Sequence, residues 1–307
     1  MHNPIYINHY GEIFNKKNQN FRIQKAFPNL ILANKADGHV LNTPKEFGIG
    51  NIHNFYFSHM FNCLYDCDYC FLQGLYSSAD FVLFVNYETF EKKILEKIKQ
   101  IDGQKATFFS GYDCDSLGFE SVSGFVKYFL PIFEQNPNAL LELRTKSLHK
   151  DVFSRTKPIE NCVIAYSLLP DEIARNLDRK APSIPKRLKV MGHLAKKGWK
   201  IGLRFDPLIH GKDWKLMYSN LIKDIFENLP VNSVHSVTFG PLRFPKAMFK
   251  KLVKLNYSSK LLFAPLTLRG TKITYKEELE AEMVSFCEDL VRSRKTDVLS
   301  FRCTGNF

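Results

Sequence analysis

His59-Met-Phe-Asn-Cys63-Leu-Tyr-Asp-Cys67-Asp-Tyr-Cys70-Phe-Leu-Gln73 sets three cysteines within eight residues, spaced C-x3-C-x2-C. The run just before it, 55–59, is aromatic and strand-like, so the cysteines fall in a loop behind a first strand. Outward from there, short apolar runs at 107–110, 140–145, 162–167, 200–205 and 236–240 read as further strands. Amphipathic stretches lie between them. The segment 88–101 puts Phe90, Ile94, Ile98 and Ile101 on one helical face, and 185–197 does the same with Leu188, Met191 and Leu194 before stopping at Gly198. Two more helices are predicted at 214–228 and 245–255, the latter with Pro245 in its first turn. This alternation is the βαβ pattern of a parallel sheet. About six such units fit between residues 55 and 256, too few for a closed eight-stranded barrel. An open, partial barrel and a doubly wound sheet both accommodate them, and both place a ligand site at the C-terminal strand ends. A helix over 276–294 and a strand over 298–302 close the chain. The first 50 residues are polar and are predicted to be an N-terminal extension with little helix.

Three thiolates can hold three irons of a cubane cluster and leave the fourth iron open. An open iron is what S-adenosylmethionine (SAM) needs, since its amino and carboxylate groups chelate there. Cys63, Cys67 and Cys70 are therefore the candidate ligands of a [4Fe-4S] cluster in a radical SAM enzyme. Such an enzyme cleaves SAM to a 5′-deoxyadenosyl radical. A Cys3His zinc site with His53 or His59 as fourth ligand is the alternative, and would make the chain a zinc-stabilised nucleic-acid-binding module. Aromatic residues, Tyr69 and Phe71, flank the last cysteine.

The seven cysteines of this 307-residue chain are odd in number and mostly scattered, which argues against a disulfide scaffold and for a reducing compartment. Cys114, Cys162, Cys287 and Cys303 read as core thiols, with Cys114 also open to a redox role. No apolar run of membrane-spanning length occurs, and the N-terminus lacks a signal-peptide pattern, so the expectation is a cytoplasmic protein with no membrane partner. The formal charge of +12 favours a polyanionic partner, nucleic acid first.

The block HMFNCLYDCDYCFLQGLYSSADFVLFVN (59–86) resembles the cluster loop of the spore photoproduct lyase family, radical SAM enzymes that split an ultraviolet-induced thymine dimer in DNA. Further matches follow in order: TFFSGYDCDSLGFE (107–120), ELRTKS (142–147), AYSLLPDEIARNLDRKAPSIPKRL (165–188), LAKKGWKIGLRFDPLIHGKDW (194–214), TFGPLRFPKAMFKKL (238–252) and KITYKEELE (272–280). The resemblance covers most of 55–302 and is weak before residue 50.

It implies an α/β fold, a partial (β/α)6 TIM-type barrel of the radical SAM type, with an N-terminal extension (1–50), a barrel (51–260) and a C-terminal helix-strand cap (261–307) that can contact nucleic acid. It implies a [4Fe-4S] cluster, SAM, a DNA pyrimidine photoproduct as substrate and an electron donor such as flavodoxin or ferredoxin. Lys146 and Ser167 match positions that contact SAM. Tyr69 matches one of two tyrosines that relay a radical, while Phe71 replaces the other. Tyr112 stands where the family has a hydrogen-donating cysteine, with Cys114 two residues on. Arg243 matches a family Arg-Phe pair and is a candidate nucleic-acid contact. Lys246 and Lys250, on the helix after it, are candidate phosphate contacts. The family's DNA-contacting hairpin corresponds to 261–271, shorter and less basic here. These departures leave room for a different substrate, an RNA base, a nucleotide or a protein.

Overall fold

A computed structural model describes residues 4–44, 47–256 and 259–303. The first part of the chain runs α1 (Phe21–Ala26), β1 (Leu30–Ala33), β2 (Leu41–Asn42), β3 (His53–Phe57), β4 (Met60–Phe61), α2 (Leu72–Leu75) and β5 (Phe81–Phe84). The middle continues with α3 (Tyr87–Gln100), β6 (Ala106–Ser110), α4 (Glu120–Ser123), α5 (Phe125–Glu134), β7 (Ala139–Thr145), α6 (Asp151–Ser154), β8 (Cys162–Ser167), α7 (Asp171–Leu177), α8 (Ile184–Lys196) and β9 (Lys200–Leu208). The last part holds α9 (Trp214–Asn228), β10 (Val234–Pro241), β11 (Arg243–Pro245), α10 (Lys246–Leu255), β12 (Thr267–Arg269), β13 (Lys272–Thr274), α11 (Glu277–Arg292) and β14 (Leu299–Arg302).

Eight strands form the main sheet in the order β14-β10-β9-β8-β7-β6-β3-β2. Every pair from β3 to β14 is parallel, and β2 adds an antiparallel edge. The six central strands are those expected from the alternating pattern, and the sheet curls into a half-barrel. Strand β6 (ATFFS) is buried at all five residues, and β8 (CVIAYS) at all but the last. Strands covered on both faces have this continuous apolar character. Helix α8 turns Leu188, Met191, Leu194 and Ala195 into the core. It ends before Gly198, whose φ of 97° suits glycine.

On β7, Leu141 and Leu143 pack into the apolar core. With a side-chain period of two, Glu142 and Arg144 project from the opposite face, into the lumen. The first 50 residues hold more structure than their composition suggested. Strand β1 pairs in parallel with β5, and β4 pairs antiparallel with β5, making a small second sheet over the cysteine loop. A third sheet joins β11, β13 and β12, the last two forming a hairpin that turns at Gly270. No helix among the described residues is long and apolar enough to cross a membrane.

Candidate active site

The cysteine loop leaves β4 through Asn62, which adopts a left-handed φ of 67° and donates its amide to the carbonyls of Ser78 and Asp80 at 2.9 and 2.7 Å. Its tip is then held by carboxylates anchored elsewhere. Asp66 accepts from Arg22 at 2.8 Å, and Asp68 accepts from Arg179 at 3.0 Å and from Ser259 at 2.7 Å. The Gln73 amide donates to the Cys67 carbonyl at 2.7 Å, and Lys25 donates to the Cys63 carbonyl at 2.6 Å. Arg22 and Lys25 belong to α1, so the N-terminal segment is part of the loop's support.

Cys63, Cys67 and Cys70 all line one cavity, of about 240 Å³, at the C-terminal ends of the barrel strands. Burial pushes all three thiols up, Cys67 to about 12, so metal binding there must displace protons. The donor set fits an iron–sulfur cluster: three sulfurs flanked by two cations. Lys146 donates to the Cys67 sulfur at 3.3 Å, and Lys25 sits beside Cys63 and Cys70. A mononuclear zinc site has no such fit. His53 instead pairs with Gln104 at 2.9 Å, and His59 is buried against Phe125 with ring centroids 4.0 Å apart. Burial and the charge of Lys35 drive the His59 imidazole down to about 3.

Behind Lys146 lies Asp178, which sequence reasoning passed over. It accepts from the fully buried Arg187 at 2.6 Å, sits 3.6 Å from Lys146, and takes the Tyr69 hydroxyl. Burial works to raise its carboxyl, but Lys146 and Arg187 override this and hold it below the usual carboxylate range. Likewise burial would lower the Lys146 ammonium, yet Asp178 and Cys67 raise it. Tyr69 lies under Lys146, its ring centroid 4.9 Å from Nζ. Arg187 also donates to the Ser167 carbonyl at 3.0 Å, fixing Ser167 on the cavity wall.

The loop after β6 forms the facing wall. Gly111 turns at φ 80°, where a Cβ would stand 2.5 Å from the Ser116 hydroxyl. Asp115 accepts from Thr145 Oγ1 at 2.7 Å and from the Lys146 amide at 2.7 Å, tying this loop to the end of β7. Tyr112 and Cys114 both line the cavity. The Tyr112 ring stacks on Tyr56 at 4.4 Å and meets Phe71 edge-on at 6.2 Å. The Cys114 thiol packs among Met60, Phe81 and Leu83, and burial keeps it protonated.

Arg243 also lines the cavity, its guanidinium bonded to both oxygens of Asp206 at 2.9 and 3.2 Å and only 6% exposed. That places it inside the barrel and not on the outer surface with Lys246 and Lys250, which are exposed on α10. Cys303, expected in the core, lines the cavity as well.

A half-barrel with a three-cysteine loop behind its first parallel strand is the radical SAM type of fold. Residues 55–276 match the family described as spore photoproduct lyase, and the chain belongs to that family. The spore photoproduct lyase of Bacillus subtilis (strain 168) is 24% identical over 202 residues, which cover 64% of this chain and 58% of that protein. The one from Geobacillus sp. (strain Y412MC61) is 21% identical over 217 residues, covering 70% and 62%. The chain thus spans less than two thirds of the length of either relative. A solved cysteine-to-serine variant of spore photoproduct lyase superposes with a TM-score of 0.77 at 15% identity, covering 90% of this chain and 82% of that one. A double variant with bound AdoMet and dinucleoside spore photoproduct gives 0.77 at 16% identity, covering 89% and 81%. These likenesses establish the fold.

Proposed function

We propose that this chain is a radical SAM lyase acting on pyrimidine photoproducts in DNA. The observation that carries the reading is one cavity at the strand ends that gathers three cysteine sulfurs, Lys146, Ser167 and an aromatic wall. The cluster and SAM, when bound, supply one-electron cleavage of the sulfonium and a deoxyadenosyl radical that abstracts hydrogen from the lesion. Cys63, Cys67 and Cys70 hold the irons. Lys146, oriented by Asp178, pairs with the SAM carboxylate, and Ser167 takes a ribose hydroxyl. The residues around the rim shape a pocket into which a poorly stacked lesion flips.

Tyr69 is committed to Asp178 and therefore positions Lys146 rather than relaying a radical. Tyr112 and Cys114, which both line the cavity, are the candidates for returning hydrogen. The barrel of 51–260 carries this chemistry. Lys246 and Lys250, together with the β12–β13 hairpin in 261–307, contact the phosphates of flanking DNA. A small electron-transfer protein such as a flavodoxin or ferredoxin reduces the cluster in the cytoplasm.

The test is anaerobic, reconstituted protein given SAM, dithionite and dinucleotide spore photoproduct. Release of the repaired thymine pair supports the reading. SAM cleavage with the lesion untouched refutes it and favours a different substrate, the alternative that Phe71 and Tyr112 motivate.

A further inference from the structure

Below the cysteine loop the lumen sets three guanidinium groups against two carboxylates. Glu142 and Arg204 are fully buried and joined by two bonds, at 2.7 and 3.1 Å. Asp206 gives both its oxygens to Arg243. Arg144 is left with a share of Glu142 Oε1, at 3.3 Å from both Nε and Nη2, an oxygen that Arg204 already holds. Among the described residues its Nη1 has no hydrogen-bond partner. Its side chain is 35% exposed where that of Arg204 is 0% and that of Arg243 6%. The other cation of the wall, Lys146, has Asp178. The remaining carboxylate, Asp115, is buried and saturated by Thr145 and by the amides of Lys146 and Leu117.

We infer that Arg144 receives the internucleotide phosphate of a dinucleotide lesion, an inference that rests on the photoproduct reading above. A phosphodiester carries one negative charge, matching the surplus of one guanidinium, and its oxygens suit the planar guanidinium fork. Tyr112 and Phe71 in the same cavity, with Tyr56 stacked on Tyr112, offer rings against which the attached bases can stack. Arg144 is thereby a specificity residue that distinguishes a linked dinucleotide from its separate bases.

The experiment compares two ligands by equilibrium titration on the full chain, reconstituted anaerobically with SAM. One is spore photoproduct as the dinucleotide, the other as the dinucleoside, which lacks the phosphate. Wild type should prefer the dinucleotide by about tenfold, the scale of one charge-assisted contact at a partly exposed site. Arg144→Gln should bring the ratio close to one, leave dinucleoside affinity unchanged, and lower the salt slope for the dinucleotide by about one. Arg144→Lys, which keeps the charge, should retain most of that slope and so separates charge loss from misfolding. An unchanged ratio in Arg144→Gln overturns the inference, as does a loss confined to SAM affinity. Wild type binding neither ligand overturns the photoproduct reading and the inference with it.

Discussion

Asp178→Asn should destabilise the protein strongly, and the size of the effect follows from what surrounds the carboxylate. Its side chain is 2% exposed, Arg187 is 0% exposed and Lys146 13%. The asparagine keeps the shape and can still accept from Tyr69, but it leaves two cations facing no charge. Breaking a buried ion pair on one side costs about 3–5 kcal/mol, mostly because the surviving charge stays desolvated. In urea denaturation of a chain this long, that corresponds to a midpoint lowered by roughly 1 M or more. The pH dependence carries a sign as well. The native carboxyl lies below its unfolded value of about 3.9, so its stabilisation is fully present above that pH and is lost as pH falls through the lower native value. The gap between wild type and Asp178→Asn should stay level from neutrality down to about pH 4 and close below it. Adding Arg187→Met to Asp178→Asn should recover part of the loss, since it removes the stranded guanidinium. A single-variant loss under about 1 kcal/mol, with no recovery in the double variant, would refute the claim that Asp178 neutralises this wall.

Further outcomes can be checked with standard measurements. Iron per chain after anaerobic reconstitution should fall close to zero in each of Cys63→Ala, Cys67→Ala and Cys70→Ala. Cys162→Ala, which removes a core thiol of β8, should load normally. Gly111→Ala should cost at least about 1–3 kcal/mol in denaturation, because the left-handed turn and the Ser116 contact must both give. Glu120, whose carboxylate accepts from the Val126 amide at the start of α5, is raised to about 7 by burial. A carboxyl raised in the native state makes the fold most stable below its unfolded value, about pH 4.3, and stability declines as pH rises through about 7. Thermal melts of Glu120→Gln should lack that decline.

What could be read in the sequence was local. The parallel strands announced themselves because a strand covered on both faces needs an unbroken apolar run, as in ATFFS and CVIAYS. The cysteine triad was legible for the same reason, since its three ligands fall within a single loop. Helix α5 runs on through Pro131 and buries Phe125, Phe129, Leu130 and Phe133, so packing outweighs the hydrogen bond that the proline forgoes. The β1–β5–β4 sheet was hidden because β1 is four residues long and its partner lies about fifty residues away.

The polar lumen was harder still, and the reason bears on function. Whether an arginine is spare or spent depends on how many carboxylates surround it, and those are distant in sequence. Glu142 meets Arg204 across 62 positions and Asp206 meets Arg243 across 37. In sequence Arg243 reads as the candidate for phosphate and Arg144 is one letter in ELRTKS. In space Arg243 holds both oxygens of Asp206, whereas Arg144 has only a share of one Glu142 oxygen. Phosphate contact in this barrel is therefore decided by the pairing of charges inside it, and the guanidinium that has to share its carboxylate is the one left to act on a ligand.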